Sequence, residues 1–337
     1  MQDFKTHFSG ISFLDRAIPV GHKRNGVHAI LGATGTGITT LASMIAAEGG
    51  KQHLKSSSQK SEGRWAYVAS QSSLKELKTR LTCCLADLPF SAASEGRLDA
   101  VDGCGDVRQR LETATYMVDN GFCLVDANSL PVASWGSPAH VAVDHILQQI
   151  GCGTLVGLTI DDVPSLIQGR IGAKHATTRN SISMTTSLLR ECRDFAEALG
   201  CPIWIGHQLW GGVAAKKPRA DLTHKDAMDY YELDKWIDTA FVLGNHAPNG
   251  MFQIRCTEPY ADDDTSLAVV KFRSGGTFIQ EVDCEERITF LTDSWKRPSF
   301  DMPEDVRQLV IDRHAELRKS SRDEELRTRM ARAAGID

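Results

Sequence analysis

The chain has 337 residues, 42% of them hydrophobic and 24% charged, with a formal net charge of −5. That is enough chain for one large domain or two small ones of ordinary globular composition, and the acidic balance excludes a generally basic nucleic-acid binder while leaving room for local basic loops. No apolar run is long enough to cross a bilayer, the N-terminal MQDFKTHFSG lacks the basic-then-apolar layout of a secretion signal, and the nine cysteines form no CxxC pair, so the expectation is buried thiols in a reducing, cytoplasmic setting without structural zinc.

In chain order, residues 27–31 (VHAIL) read as a buried strand and 39–47 (TTLASMIAA) as an apolar helix. Residues 49–64 (GGKQHLKSSSQKSEGR) are polar and Ser/Lys-rich, the composition expected of a mobile insertion. A short strand follows at 65–69 (WAYVA), then a helix at 73–86 that spaces Leu74, Leu77, Leu81 and Leu85 three or four apart. Residues 121–127 (GFCLVDA) form a strand, 140–150 a helix, and 154–160 (TLVGLTI) a continuous apolar strand that ends in Asp161 and Asp162. Residues 186–199 place Leu188, Leu189, Cys192, Phe195, Ala196 and Leu199 on one helical face; Gly200 stops the helix and Pro202 opens a strand at 202–206. Strands TAFVLG, MFQIR, LAVVKF, TFIQEV and ITFL then crowd residues 239–291, and a charged helical tail begins near Met302. Alternating strands and helices predict an α/β fold with a mostly parallel sheet flanked by helices, and the late strands predict antiparallel hairpins added at one edge. The expected division is a domain over 1–298 and a tail over 299–337.

Between the first strand and helix, residues 32–40 read GATGTGITT. The phosphate-loop pattern is Gly, four residues, Gly, Lys, then Ser or Thr. Gly32, Gly37 and Thr39 are in register with it, and Ile38 stands where the lysine belongs. Glycines that adopt positive φ let successive backbone N–H groups surround a phosphate, so the candidate nucleotide contacts are Gly32, Thr34, Gly35, Thr36, Gly37, Ile38, Thr39 and Thr40. Thr39 would also give its hydroxyl to Mg²⁺. Ile38 cannot make the lysine's charge-assisted hydrogen bond, which is worth about 1.5–3 kcal/mol.

Three further segments carry candidate chemistry. Asp161 sits where a strand-end acid would hold Mg²⁺, and Asp162 beside it could orient water; many ordinary strands also end in Asp. Gln208, at the end of the strand opened by Pro202, could sense a γ-phosphate. In VVKFRSGG, Lys271 and Arg273 lie two apart and project to one side of a strand, as a basic pair aimed at a phosphate or simply as a solvated face. The loop WGGVAAKKPRADLTHKD carries Lys216, Lys217 and Arg219, a candidate contact for single-stranded nucleic acid or an ordinary solvated loop.

Taken together and in order, these segments resemble the RecA-fold motor domain of DnaB-type replicative hexameric helicases, a P-loop ATPase, from about Phe8 to Leu291. The approach FSGISFLDRAIPVGHKRNGVHAILGATGTG is similar to that family's entrance to its phosphate loop, LVGLTIDDVPSLIQG to its second motif, and LLRECRDFAEALGCPIWIGHQL to its sensor element, with Gln208 matching the sensor glutamine. GGVAAKKPRADL resembles its DNA-contacting loop, YELDKWIDTAFVL its segment ending in an aspartate, here Asp238, and VVKFRSGG its Lys-x-Arg-x-Gly element. The resemblance implies ATP or another NTP with Mg²⁺ at subunit interfaces, single-stranded DNA in a central channel, and self-association as a ring, hexameric in that family, or as a filament. It further implies that Arg273 acts as a finger on a neighbour's nucleotide, and that replication or recombination proteins meet the tail. The domain that precedes the motor in that family is expected to be absent. Two departures stand out: Ile38 replaces the lysine, and Gln71 occupies the position of the family's catalytic glutamate. Glutamine can hold a water but cannot take its proton. The expected function is therefore either a helicase-family ATPase with weak hydrolysis, or a RecA-fold assembly protein that binds nucleotide or partners without turnover; a strand-exchange accessory is a third, less favoured reading.

Overall fold

The structure is a computed structural model. It describes residues 25–56, 63–98, 106–130, 138–150, 153–171, 178–209, 222, 224–227, 233, 235–244, 251–257, 266–272 and 279–282, with isolated positions at 9, 11, 14, 15, 308 and 312. Strand β1 (Val27–Gly32) is buried at every residue. It leads through α1 (Ile38–Ser56) to β2 (Arg64–Ala69), followed by α2 (Leu74–Ala86), α3 (Phe90–Ser94), α4 (Val107–Gly121) and β3 (Phe122–Asp126). Then come α5 (Pro138–Ile150), β4 (Leu155–Ile160), α6 (Val163–Ile171), α7 (Thr178–Leu199), β5 (Ile203–Gln208), β6 (Thr239–Leu243), β7 (Met251–Thr257), β8 (Ser266–Phe272) and β9 (Ile279–Glu281).

These strands make one nine-stranded sheet in the order β3-β2-β4-β5-β1-β6-β7-β8-β9. Strands β3 through β6 in that order pair in parallel, and β7, β8 and β9 extend the edge in antiparallel fashion, as the crowded late strands predict. Period-two alternation along β1 sends Val27, Ala29 and Leu31 into one core and Ile30 into the other. The first core packs under α5, α6 and α7, where Val143, Leu166, Leu188, Leu189 and Cys192 are buried. The second packs under α1, α2 and α4 with Leu41, Ile45, Leu77, Leu81 and Val118. With both faces covered, the parallel strands carry the continuous apolar runs seen in their sequence. Each fully buried large aliphatic or aromatic side chain contributes about 1.5–3 kcal/mol.

The chain enters β1 through a clamp. The Val27 N–H donates to Asp238 Oδ2 at 2.9 Å, the Asp238 N–H donates to the Val27 carbonyl at 2.7 Å, and Arg193 of α7 pairs with Asp238 at 3.1 Å. Asp238 therefore staples the N-terminal edge of the sheet. The opposite edge is the one that matters for chemistry. There β1 leads to β2 on one side, while its neighbour β5 leads across it to β6 on the other, and such a reversal leaves a crevice at the strands' C-terminal ends.

Helix α1 enters the stretch over 49–64 expected to be a mobile insertion: residues 49–56 are helical, residue 64 belongs to β2, and residues 57–62 lie outside the described residues. Its Gly49 and Gly50 sit inside the helix with aromatic rings against them. A Cβ on Gly49 would strike the Trp65 ring, and one on Gly50 the Phe122 ring. Helix α7 begins at Thr178 rather than at 186, and α3 and α4 had no counterpart in the sequence reading. Charged residues dilute the pattern of α4, which buries Val107, Ala114, Val118 and Gly121. The strand expected at ITFL and the helix expected from Met302 lie outside the described residues. By contact density the chain divides into Met1–Glu281 and Val282–Asp337, and every element named above belongs to the first unit. Among the described residues no helix is long and apolar enough to cross a membrane.

Gly49→Ala tests this packing, because helix propensity and packing oppose each other. Alanine gains about 1 kcal/mol in a helix interior. The Trp65 ring is held by its Nε1 donating to Thr159 Oγ1 at 3.0 Å and by its contact with Gly157, so it cannot swing away. Overpacking of about 1–3 kcal/mol should win, and urea unfolding should show a lower midpoint for the variant; a raised midpoint would show that the ring yields.

Candidate nucleotide-binding site

The turn between β1 and α1 is closed by Thr36, whose N–H and Oγ1 both donate to the Ala33 carbonyl, at 3.1 and 2.7 Å. Gly35 and Gly37 hold φ of 81° and 103°, values that L side chains rarely adopt. A Cβ on Gly35 would meet open space, whereas one on Gly37 would strike the Phe272 ring from β8. The first helical bond beyond the turn is Leu41 N–H to the Gly37 carbonyl at 2.9 Å, so by helix geometry the N–H groups of Ile38, Thr39 and Thr40 have no partner within the helix. They sit at the positive end of a 19-residue helix with no acidic residue in its first turn.

Ile38 lines the cavity from the start of α1. Its methyl-bearing carbons lie over Gly32 and Gly206, where a Cβ would sit 3.3 Å from Cγ1 and 2.9 Å from Cγ2, and the side chain packs against the core on the α1 face. The lysine's place is thus filled by hydrocarbon seated on the ends of β1 and β5. Gln208 lies in register opposite Gly32 and its Oε1 accepts from the Thr34 hydroxyl at 3.5 Å, which brings the expected sensor to the loop.

Asp161 follows β4 directly and is 1% exposed. Its Oδ1 accepts from the Tyr67 hydroxyl at 3.2 Å, and its Oδ2 is buried with no hydrogen-bond partner. Burial pushes its pKa up from 3.8 to about 6; the hydroxyls of Thr39 and Tyr67 favour the ionised form, the Asp162 charge opposes it, and Arg80 favours it weakly. An orphaned carboxylate oxygen beside a threonine hydroxyl is a hard-oxygen donor set that suits Mg²⁺, an ion that takes one or two protein ligands and completes its shell with phosphate oxygens and water. Asp162 is committed differently. It caps α6 through Oδ2, which accepts from the Ser165 N–H at 2.9 Å and from Gln71 Nε2 at 3.0 Å, while Oδ1 is buried without a partner. Gln71 Nε2 also donates to Ser165 Oγ at 3.0 Å. A glutamate at 71 would set a carboxylate against that of Asp162, so the amide and the second aspartate are a matched pair.

These groups line one cavity of about 400 Å³, which includes Thr34, Gly35, Gly37, Ile38, Thr39 and Thr40 of the loop together with Gln71, Asp161, Asp162 and Gln208. Gly32 and Thr36 shape the turn beneath it. Lys271 is half-buried on β8 and does not line the cavity; Phe272 does. Arg273, Lys216, Lys217 and Arg219 lie outside the described residues. The sequence reading missed Tyr67, Phe272 and Arg80. Arg80 comes from α2: its Nη1 donates to Thr40 Oγ1 at 3.3 Å, its Nη2 to Glu76 Oε1 at 3.2 Å, and its guanidinium stacks 4.1 Å over the Phe90 ring. The legible signal was an arginine on the flank of the Leu77/Leu81 stripe.

The raised pKa of Asp161 has a sign that can be checked. The folded state binds this proton more tightly than the unfolded chain, so the stabilising contribution is present below about 3.8 and is lost as pH rises through about 6. In ligand-free protein, unfolding free energy should carry this downward component across that window. Asp161→Asn should remove it; an unchanged pH slope would place the titration elsewhere.

No protein-family model and no curated protein sequence matches the chain. Solved structures do. The chain is similar to a solved ATPase domain, with a TM-score of 0.59 and 14% identity over 82% of this chain and 90% of that one. It is also similar to a DnaB-like replicative helicase, described with its interactions with primase, with a TM-score of 0.57 and 14% identity; the match covers 82% of this chain and 61% of that one. The fold is that of RecA-like P-loop ATPase domains.

Proposed function

We propose that this domain is a DnaB-like helicase-family ATPase that binds ATP with Mg²⁺ at the β1–α1 loop and hydrolyses it weakly. The observation that carries the reading is the orphaned Asp161 carboxylate oxygen, buried beside Thr39 in the cavity over the phosphate loop. A buried carboxylate raised toward neutrality has a cost that a bound cation offsets. Loop N–H groups and the α1 terminus bind the phosphates, Thr39 and Asp161 hold Mg²⁺, and Gln208 reports the terminal phosphate to Thr34 and the loop. Held there, Mg²⁺ would supply neutralisation of the nucleotide's negative charge. Gln71 positions rather than deprotonates water, and the free Asp162 oxygen is the carboxylate left to orient it.

The remainder of the reading follows the helicase resemblance: ring-type self-association, Lys271 and Arg273 acting on a neighbour's nucleotide, single-stranded DNA held by Lys216, Lys217 and Arg219, and replication or recombination partners at the tail. Weak turnover, in place of a competent motor, is favoured by Ile38 seated on the sheet and Gln71 tied to Asp162. The same two observations support the second reading, an assembly protein that binds nucleotide without turnover.

Calorimetric titration with ATP tests the site. Wild-type protein should bind ATP more tightly with Mg²⁺ than with EDTA, Asp161→Ala should erase that difference, and Ile38→Lys should tighten binding about ten- to hundred-fold. Absence of any Mg²⁺ effect would sink the reading of Asp161. For the DNA reading, charge reversal at Lys216, Lys217 and Arg219 should weaken binding of an oligo-dT probe and flatten its dependence on salt; equal binding by wild type and variant would remove that loop from the interface.

A further inference from the structure

We infer that Arg80 faces the phosphates of the bound nucleotide and supplies the positive charge that Ile38 does not. This rests on the nucleotide-binding reading of the loop. Arg80 is the one lysine, arginine or histidine among the described residues lining the cavity. Its side chain is 13% exposed and reaches across the start of α1 to Thr40 Oγ1, one residue beyond the Thr39 that closes the loop motif. Its Nε is buried without a hydrogen-bond partner. Stacking on Phe90 and the bond to Glu76 fix the plane of the guanidinium, and a fixed planar fork suits a phosphate better than a mobile ammonium does. Glu76 neutralises it weakly, because that carboxylate is 44% exposed.

The position of this charge differs from that of a loop lysine. Thr40 lies about 200° around the helix from Ile38, so Arg80 approaches α1 from the other flank. It supports binding of the phosphate chain without standing where a lysine would stabilise the departing terminal phosphate. Tight binding with slow turnover is the combination this geometry produces. A purely structural Arg80 would instead pin α2 to α1, and the two roles separate by charge.

The experiment titrates Mg²⁺-ATP and Mg²⁺-ADP into wild type, Ile38→Lys, Arg80→Gln, Arg80→Lys and Arg80→Gln/Ile38→Lys, with a thermal melt of each ligand-free protein as a folding control. Arg80→Gln should bind both nucleotides about ten- to hundred-fold more weakly, Arg80→Lys should stay within a few-fold of wild type, and adding Ile38→Lys to Arg80→Gln should restore binding. Unchanged binding by Arg80→Gln, or Arg80→Lys as weak as Arg80→Gln, overturns the assignment of Arg80 alone. Failure of both wild type and Ile38→Lys to bind either nucleotide overturns the nucleotide reading itself. If Arg80→Gln does not fold, Glu76→Gln reads the same charge in reverse: freeing the guanidinium should tighten ATP binding up to about five-fold, and no tightening overturns the proposal.

Discussion

Everything at the site is measured from the C-terminal end of β1. This strand is paired in parallel with β5 on one edge and β6 on the other, and no residue of it reaches solvent. Its end therefore has no freedom to shift, and the loop that follows inherits that rigidity. Register then does the positioning: Gly32 sits opposite Gln208, and Ile160, the last residue of β4, sits opposite Ile205 and Val68. Residues that follow these positions, Asp161 and Gln71 among them, are delivered to one crevice by strands far apart in sequence.

Within that crevice the electrostatics are unusual for a candidate phosphate site. A buried carboxylate, Asp161, has an oxygen with no partner, and a second, Asp162, is held by a backbone N–H and an amide. The loop lysine that would ordinarily balance such a site is replaced by an isoleucine packed on the sheet. Positive charge enters from a different element, α2, through Arg80. The substitutions at 38 and 71 are thus not isolated defects: each is embedded in contacts that suit it, hydrocarbon against the ends of β1 and β5 in one case, an amide donating to Asp162 and Ser165 in the other.

Much of the fold was legible because its signals are local. The strands at VHAIL, WAYVA and TLVGLTI are apolar on both faces, and the helix at Leu188–Leu199 repeats its apolar face at 3.6-residue spacing. The failures are equally physical. Gly49 and Gly50 open a stretch whose composition reads as a polar insertion, yet they are interior helix glycines that admit Trp65 and Phe122, an event that only distant strands reveal. Helix α4 carries too many charges for its narrow buried stripe to announce itself.

The sequence by itself determined the phosphate-loop architecture, the missing lysine, the strand-end aspartates and the glutamine at 71, because each depends on residue type at a short, fixed spacing. Tertiary structure alone decided where Ile38 packs, that Asp162 is a helix cap tied to Gln71, that the buried Tyr67 hydroxyl bonds to Asp161, and that Arg80 lines the cavity. Such contacts join elements dozens of residues apart, and no local pattern encodes which side of a sheet or helix will meet which neighbour.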